Sequence, residues 1–126
     1  MTQVEIISFG YLHGPPPTAH ITLDLRHHFR DPHVSPELRH MTANDAAVQD
    51  AVYATLGITA LINAISASIA AFAAGPTAGP ITVAIGCAGG RHRAPAVAQA
   101  LGSLLAVNRR PRAVHHRDLH QPVINR

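Results

Sequence analysis

The sequence predicts an α/β fold: a single-domain sandwich with a small mixed sheet and flanking helices, spanning residues 1–126. Three observations predict it. Short β-branched apolar runs alternate with longer segments whose apolar residues recur at helical spacing. One run, "PITVAI" at 80–85, passes through a Gly-rich turn straight into a helical stretch, the strand–loop–helix step of an α/β unit. A chain of 126 residues, 47% of them apolar, can bury one core without covalent staples.

The elements follow in order. "VEIISF" (Val4–Phe9) reads as a first strand ending at Gly10. "YLHGPPP" follows as an extended loop, since three prolines fit neither a ladder nor a helix interior. "HITLDL" (His20–Leu25) alternates as a second strand. From Arg26 to Asn44 the pattern is irregular and broken by Pro32 and Pro36; Ser35 and Pro36 have the form of a helix cap and first turn. Thr42 or Asn44 is expected to cap a helix over Asp45–Leu56, with Gly57 breaking or bending it before an Ala-rich helix that ends at Gly75. Pro80–Ile85 is nearly all apolar and reads as a central strand buried on both faces. A helix over Pro95–Val107 places Ala96, Val97, Ala100, Leu101, Leu104 and Leu105 on one face. Val114–Leu119 is a last short strand. The order β-β-α-α-β-α-β carries no internal repeat.

Composition narrows the class. All ten basic side chains besides histidine are arginine, and the formal charge of +3 does not by itself imply nucleic acid. Ten histidines add positive charge at mildly acid pH. The single cysteine excludes an internal disulfide framework and makes a reducing, cytoplasmic home the expectation. The N-terminus lacks the basic start and apolar run of a signal peptide. Ile58–Ala74 is short for a membrane span, is rich in Ala and carries Asn63, Ser66 and Ser68, so it reads as a buried helix. Neither the His27–His28 nor the His115–His116 pair has the spacing of a zinc set; no metal, cofactor or membrane partner is expected.

Chemistry concentrates in "GCAGGRHR", residues 86–93. The first turn of a helix has unpaired N–H groups and the positive end of the helix dipole, so a Gly-rich turn entering a helix is an anion cradle. Gly89 and Gly90 let backbone approach a ligand, Arg93 can fork onto a phosphate and His92 can donate a further bond. No Gly-Lys-Ser/Thr ends the loop, so it is not a Walker A motif. The alternative is enzymatic: Cys87 and Arg93 have the C-x5-R spacing of cysteine-dependent phosphatases, with a thiolate beneath the phosphate and an arginine above it. Ala94 stands where those enzymes carry Ser or Thr, and no one of Asp24, Asp31 and Asp45 is singled out as the acid. Asp24 and Arg26 share one strand face and are expected to pair.

Four co-linear stretches, "SFGYLHG" at 8–14, "DLRHHFRDPHVSPELRHMTANDAAV" at 24–48, "AIGCAGGRHRAP" at 84–95 and "HHRDL" at 115–119, resemble the C-terminal domain of the RapZ family of bacterial RNase adaptor proteins. The resemblance implies an α/β fold like a phosphofructokinase subdomain, sensing of glucosamine-6-phosphate, binding of small regulatory RNA and self-association. On this chain it implies a sugar-phosphate pocket at His13, Gly14, His33, Gly89, Gly90, His92 and Arg93. It implies an RNA surface at Arg109, Arg110, Arg112 and Arg117, read as phosphate contacts because no aromatics are interleaved. The chain departs from the family pattern at Leu12, where the family has lysine, at Ala43 for glycine, at Ala88 for threonine and at Ala94 for serine. The stretch from Asp24 to Pro32 is one residue longer than the family's, and the tail is a shorter Arg set ending "QPVINR". The family's N-terminal nucleotide-binding Walker domain has no counterpart in these residues. The expected function is therefore a non-enzymatic binding module for a phosphorylated small molecule, coupled to RNA or another partner, with homo-oligomerisation implied by the resemblance.

Overall fold

The computed structural model describes residues 2–77 and 79–126. Its elements are β1 (Val4–Gly10), β2 (Ile21–Asp24), α1 (Pro36–Arg39), α2 (Ala46–Tyr53), α3 (Ile58–Ala73), β3 (Ile81–Cys87), α4 (Arg93–Val107) and β4 (Arg112–His116). Short 3-10 turns occupy Tyr11–His13 and Pro32–Val34.

The α/β class stands, and the sheet is parallel throughout rather than mixed. Its strand order is β2-β3-β1-β4, and each neighbouring pair is parallel. Parallel strands cannot be joined by a tight hairpin, so every connection must return the chain to the same end of the sheet. Helices make the return between β2 and β3 and between β3 and β4. Between β1 and β2 the segment 11–20 does it, and its prolines favour an extended run of about 3.1 Å per residue. His20 fixes the arrival: its N–H donates to Thr82 O at 2.9 Å, and its Nδ1 accepts from Thr82 N–H at 2.9 Å.

The inner strands β1 and β3 pair from Val4↔Ile81 to Gly10↔Cys87. Alternate residues Val4 and Ile6 of β1 and Ile81, Val83 and Ile85 of β3 are buried and share one core cluster with helical residues. From α3 come Ile58, Ile62, Ile65 and Ile69; from α4 come Val97, Leu101 and Leu105. Burying each such side chain contributes about 1.5–3 kcal/mol. Ala94, Ala96 and Ala98 are fully buried, which lets α4 lie close to the sheet. β3 is buried at six of its seven positions, as its unbroken apolar run required.

Three local expectations shift. Gly57 breaks the helical run rather than bending it: its φ is +93°, and α2 and α3 meet at 82°. Neither Thr42 nor Asn44 caps α2; Asp45 holds the cap position, and its carboxylate instead accepts the Thr42 N–H at 2.9 Å. β4 begins at Arg112 and ends at His116, because the chain turns at Arg117 to bring Asp118 inward. Among the described residues no single helix is long and apolar enough to cross a membrane.

Candidate functional site

β3 ends at Cys87 and α4 begins at Arg93, so the Gly-rich loop sits at the carboxyl end of the parallel sheet. That is where open α/β sheets leave a crevice. The loop is pressed onto the end of β1: a Cβ on Gly10 would lie 2.5 Å from Gly89 C. Gly90 has φ +74°, and a Cβ there would meet Gly10 N at 2.8 Å and Asp118 Cβ at 2.9 Å. Only glycine satisfies both the dihedral and the space.

Arg93 does not point into open space. It is 2% exposed and the largest fully buried side chain. Its Nη1 donates to three carbonyls, Leu25 O at 2.8 Å, Phe29 O at 3.0 Å and Arg26 O at 3.1 Å. Its Nη2 pairs with Asp31 at 3.1 Å. The guanidinium expected to fork onto a phosphate is thus engaged in folding the 25–31 loop against the start of α4. His92 is likewise buried, with Nε2 3.0 Å from both Leu38 O and Met41 O, so this nitrogen carries the proton and braces α1. Burial lowers its pKa, outweighing the two carbonyls and Asp31, which favour the charged form.

Cys87 is 2% exposed. Its Sγ accepts the N–H of Gly90 at 3.3 Å and of Ala94 at 3.4 Å. A nucleophilic thiolate needs an open approach and a clamping arginine. Here the thiol is buried at the strand end and the Arg93 guanidinium bonds carbonyls of the 25–29 segment and Asp31.

The loop nevertheless keeps backbone donors. Among the described residues the amides of Gly89, Arg91 and His92 have no protein acceptor. They precede the first turn of the 15-residue α4. His33 is 8% exposed and faces a cavity of about 10 Å³ beneath the loop, together with Asp31, Cys87, Gly89 and His92. Burial lowers the His33 pKa, and the Arg126 charge adds to the shift. Asp31 is the hub of this corner. Burial raises its pKa, but the hydrogen bonds from Arg126 and the His33 N–H, with the charges of Arg93 and Arg126, outweigh burial and hold it below the ordinary value.

His13 and Gly14 lie beside the loop, through the bond of Leu12 N–H to Ala88 O at 3.0 Å. His13 Nε2 is buried without a partner. Gly14 faces the Arg117 guanidinium, whose hydrogen bonds reach Pro15 O at 2.6 Å, Gly14 O at 3.3 Å, Gly10 O at 3.4 Å and the Asp118 carboxylate at 2.9 Å. Asp118 is 3% exposed and accepts Gly10 N–H at 2.7 Å.

β4 therefore divides the arginines that the sequence groups together. Arg109, Arg110 and Arg112 stand at its amino end, and Arg117, exposed but hydrogen-bonded to Gly10, Gly14, Pro15 and Asp118, stands at its carboxyl end near the Gly-rich loop. Among the described residues none of Arg109, Arg110 and Arg112 forms an ion pair; Arg112 donates only to Gly102 O, at 3.1 Å.

Asp24 and Arg26 pair in a two-pronged bridge with a shortest contact of 2.7 Å, although β2 ends at Asp24 and Arg26 lies beyond it rather than on a shared strand face, and Arg26 lies 3.7 Å over the Tyr11 ring. The Arg26 hydrogen bond holds the Asp24 carboxyl down to about 2. Sequence reasoning misses the roles of Asp31, Asp118 and Arg126. Asp118 stands within the "HHRDL" stretch, but nothing local marks it as the partner of Gly10. Among the described residues no three His, Cys, Asp or Glu side chains gather as a metal set.

Residues 2–120 match the family profile of the RapZ C-terminal domain. A nucleotide-binding protein of Clavibacter michiganensis subsp. michiganensis is 37% identical over 121 residues, covering 93% of this chain and 41% of the relative. Proteins described in the same words from Alkalilimnicola ehrlichii and Parafrankia sp. are each 38% identical, over 90% and 93% of this chain and 40% and 41% of their own lengths. The chain thus spans about two fifths of the length of the curated relatives it matches. With the profile matched over nearly every element of the fold, the chain belongs to the RapZ C-terminal domain family.

Proposed function

We propose that this domain is a non-enzymatic module that binds a phosphorylated small molecule at the turn between β3 and α4. The observation that carries the reading is the set of unpartnered amides at Gly89, Arg91 and His92, next to the positive end of α4. In this reading the backbone, not Arg93, grips the phosphate. In the same reading His33, which lines the cavity at the loop, and His13, whose Nε2 is buried without a partner among the described residues, are the polar contacts for the remainder of the ligand. That relatives are described as nucleotide-binding proteins supports a phosphate-bearing ligand, although they are more than twice as long as the matched region.

RNA contact belongs to the same proposal as a regulatory partner. It rests on Arg109, Arg110 and Arg112, which among the described residues pair with no carboxylate, and excludes Arg117, whose guanidinium already bonds Asp118 and three carbonyls.

The test is an amide-resolved NMR titration with inorganic phosphate and with a hexose phosphate, using the unphosphorylated hexose as control. Gly89, Arg91 and His92 amides are expected to shift downfield with both phosphates and not with the sugar. Shifts confined to other parts of the molecule would sink the reading.

A further inference from the structure

Residues 121–126 follow the region that matches the family profile, and they do not leave the surface. Arg91 Nη1 donates to Gln121 O at 3.1 Å and holds one end of the segment. Arg126 Nη2 pairs with Asp31 at 2.6 Å and holds the other. Between these anchors Val123 and Ile124 are half-buried over the Gly-rich loop, and with Pro122 they line the cavity beneath. The Arg126 guanidinium comes within 3.4 Å of where a Cβ of Gly89 would stand. The enclosed volume of about 10 Å³ has room for little more than one water. A phosphate cannot enter while the segment is in place.

The way the segment is held decides what it does. Among the described residues, 122–126 make no backbone–backbone hydrogen bond. The segment adds no strand and is fixed by two arginine contacts and two apolar side chains. It can therefore leave without disturbing the sheet. When it leaves, Asp31 keeps Arg93 as partner, so departure strands no buried charge. The amides that the strap covers are also left without acceptors by it, so an anion offers them bonds that the strap does not.

We infer that residues 121–126 form an autoinhibitory strap: the segment occupies the anion cradle, and a phosphorylated ligand binds only by displacing it. This rests on the cradle reading above and adds that the closed state sets the apparent affinity. If the strap is closed nine-tenths of the time, it weakens binding about tenfold.

The experiment compares inorganic phosphate binding, by calorimetry and amide NMR, in the full chain, in a variant lacking residues 121–126 and in Arg126→Ala. Arg126→Ala loses one partly exposed ion pair and retains the fold if the deletion does not. The expected result is about tenfold tighter binding in the deletion variant and an intermediate gain in Arg126→Ala. In the full chain, phosphate should move the amide signals of Gln121 and of 123–126 toward random-coil positions. Equal affinity in all three proteins with unmoved tail signals overturns the strap and leaves the cradle standing. Weaker binding in the variants also overturns it, by making Arg126 a ligand contact. Binding by none of the three overturns the cradle reading itself, and the strap with it.

Discussion

Two basic stretches of this chain look alike as text and differ completely as structure. Arg91–Arg93 and Arg109–Arg112 each concentrate positive charge beside a helix end. In the first, the Arg91 and Arg93 guanidiniums and the His92 imidazole all bond carbonyls of distant segments. In the second, the backbone of Arg109 takes φ +57° at the turn into β4, and among the described residues none of the three arginines meets a carboxylate. The first cluster is a set of braces that leaves only backbone for a ligand, and the second is open to a polyanion. Charge counted along a sequence therefore says little about charge available at a surface; what decides is whether unsatisfied carbonyls lie within reach.

The sharpest way to break this contrast is Arg93→Ala. It strips the Leu25, Arg26 and Phe29 carbonyls of this donor and empties a buried volume, while Asp31 keeps Arg126, and is expected to cost about 2–4 kcal/mol in chemical denaturation. Arg93→Lys should recover little, since an ammonium cannot reproduce a planar fork onto three carbonyls and a carboxylate. Arg110→Ala is the matched control and should stay within about 0.5 kcal/mol of the parent. Equal losses at the two positions would erase the distinction between brace and free charge.

A second, smaller effect is the pH dependence of stability. His33, His92 and His116 have pKa values lowered in the fold, in each case first by burial. The unfolded chain then takes up these protons at a higher pH than the folded one. Stability is full above the unfolded value of about 6.5 and falls as pH drops below it, levelling once the folded groups protonate. Denaturation midpoints between pH 7.5 and pH 5 should fall in the parent and fall less in His92→Gln. A midpoint that rises toward pH 5 would mean that these histidines gain, rather than lose, from charge in the fold.

The smallest effect on stability is expected at the open cluster. Replacing Arg109, Arg110 and Arg112 together by alanine should change stability by under about 1 kcal/mol. The same change should flatten the salt dependence of binding to a structured RNA, by about one unit of log–log slope for each phosphate no longer neutralised. An unchanged slope would remove RNA from the proposed partners of this surface.

Much of the architecture is legible in the sequence. β1, β3 and α4 stand within a few residues of their expected bounds because their signals are local: an apolar run, a period and a Gly-rich turn. The Gly-rich turn is legible for the same reason, but that Gly90 rather than Gly89 takes the positive φ is not. The β4 boundary is not, because the chain leaves the sheet at Arg117 to deliver Asp118 to the amide of Gly10, a contact 108 residues apart. Nor is the role of Arg93, whose spacing from Cys87 matches a phosphate clamp as well as it matches a brace.

What the sequence by itself determined is the α/β class, the family, and the placing of a Gly-rich loop between a buried strand and a helix. These follow from backbone preferences and apolar periodicity, which act over a few residues. Only the tertiary structure decided that the sheet is parallel throughout, that Arg93 is consumed by carbonyls as far as 68 residues away, that β4 parts Arg117 from the other arginines, and that residues 121–126 lie across the loop. The physical reason is common to all four. A guanidinium or a carboxylate bonds whatever partner the fold brings within about 3 Å, and that partner is chosen by packing across the chain rather than by its neighbours in sequence.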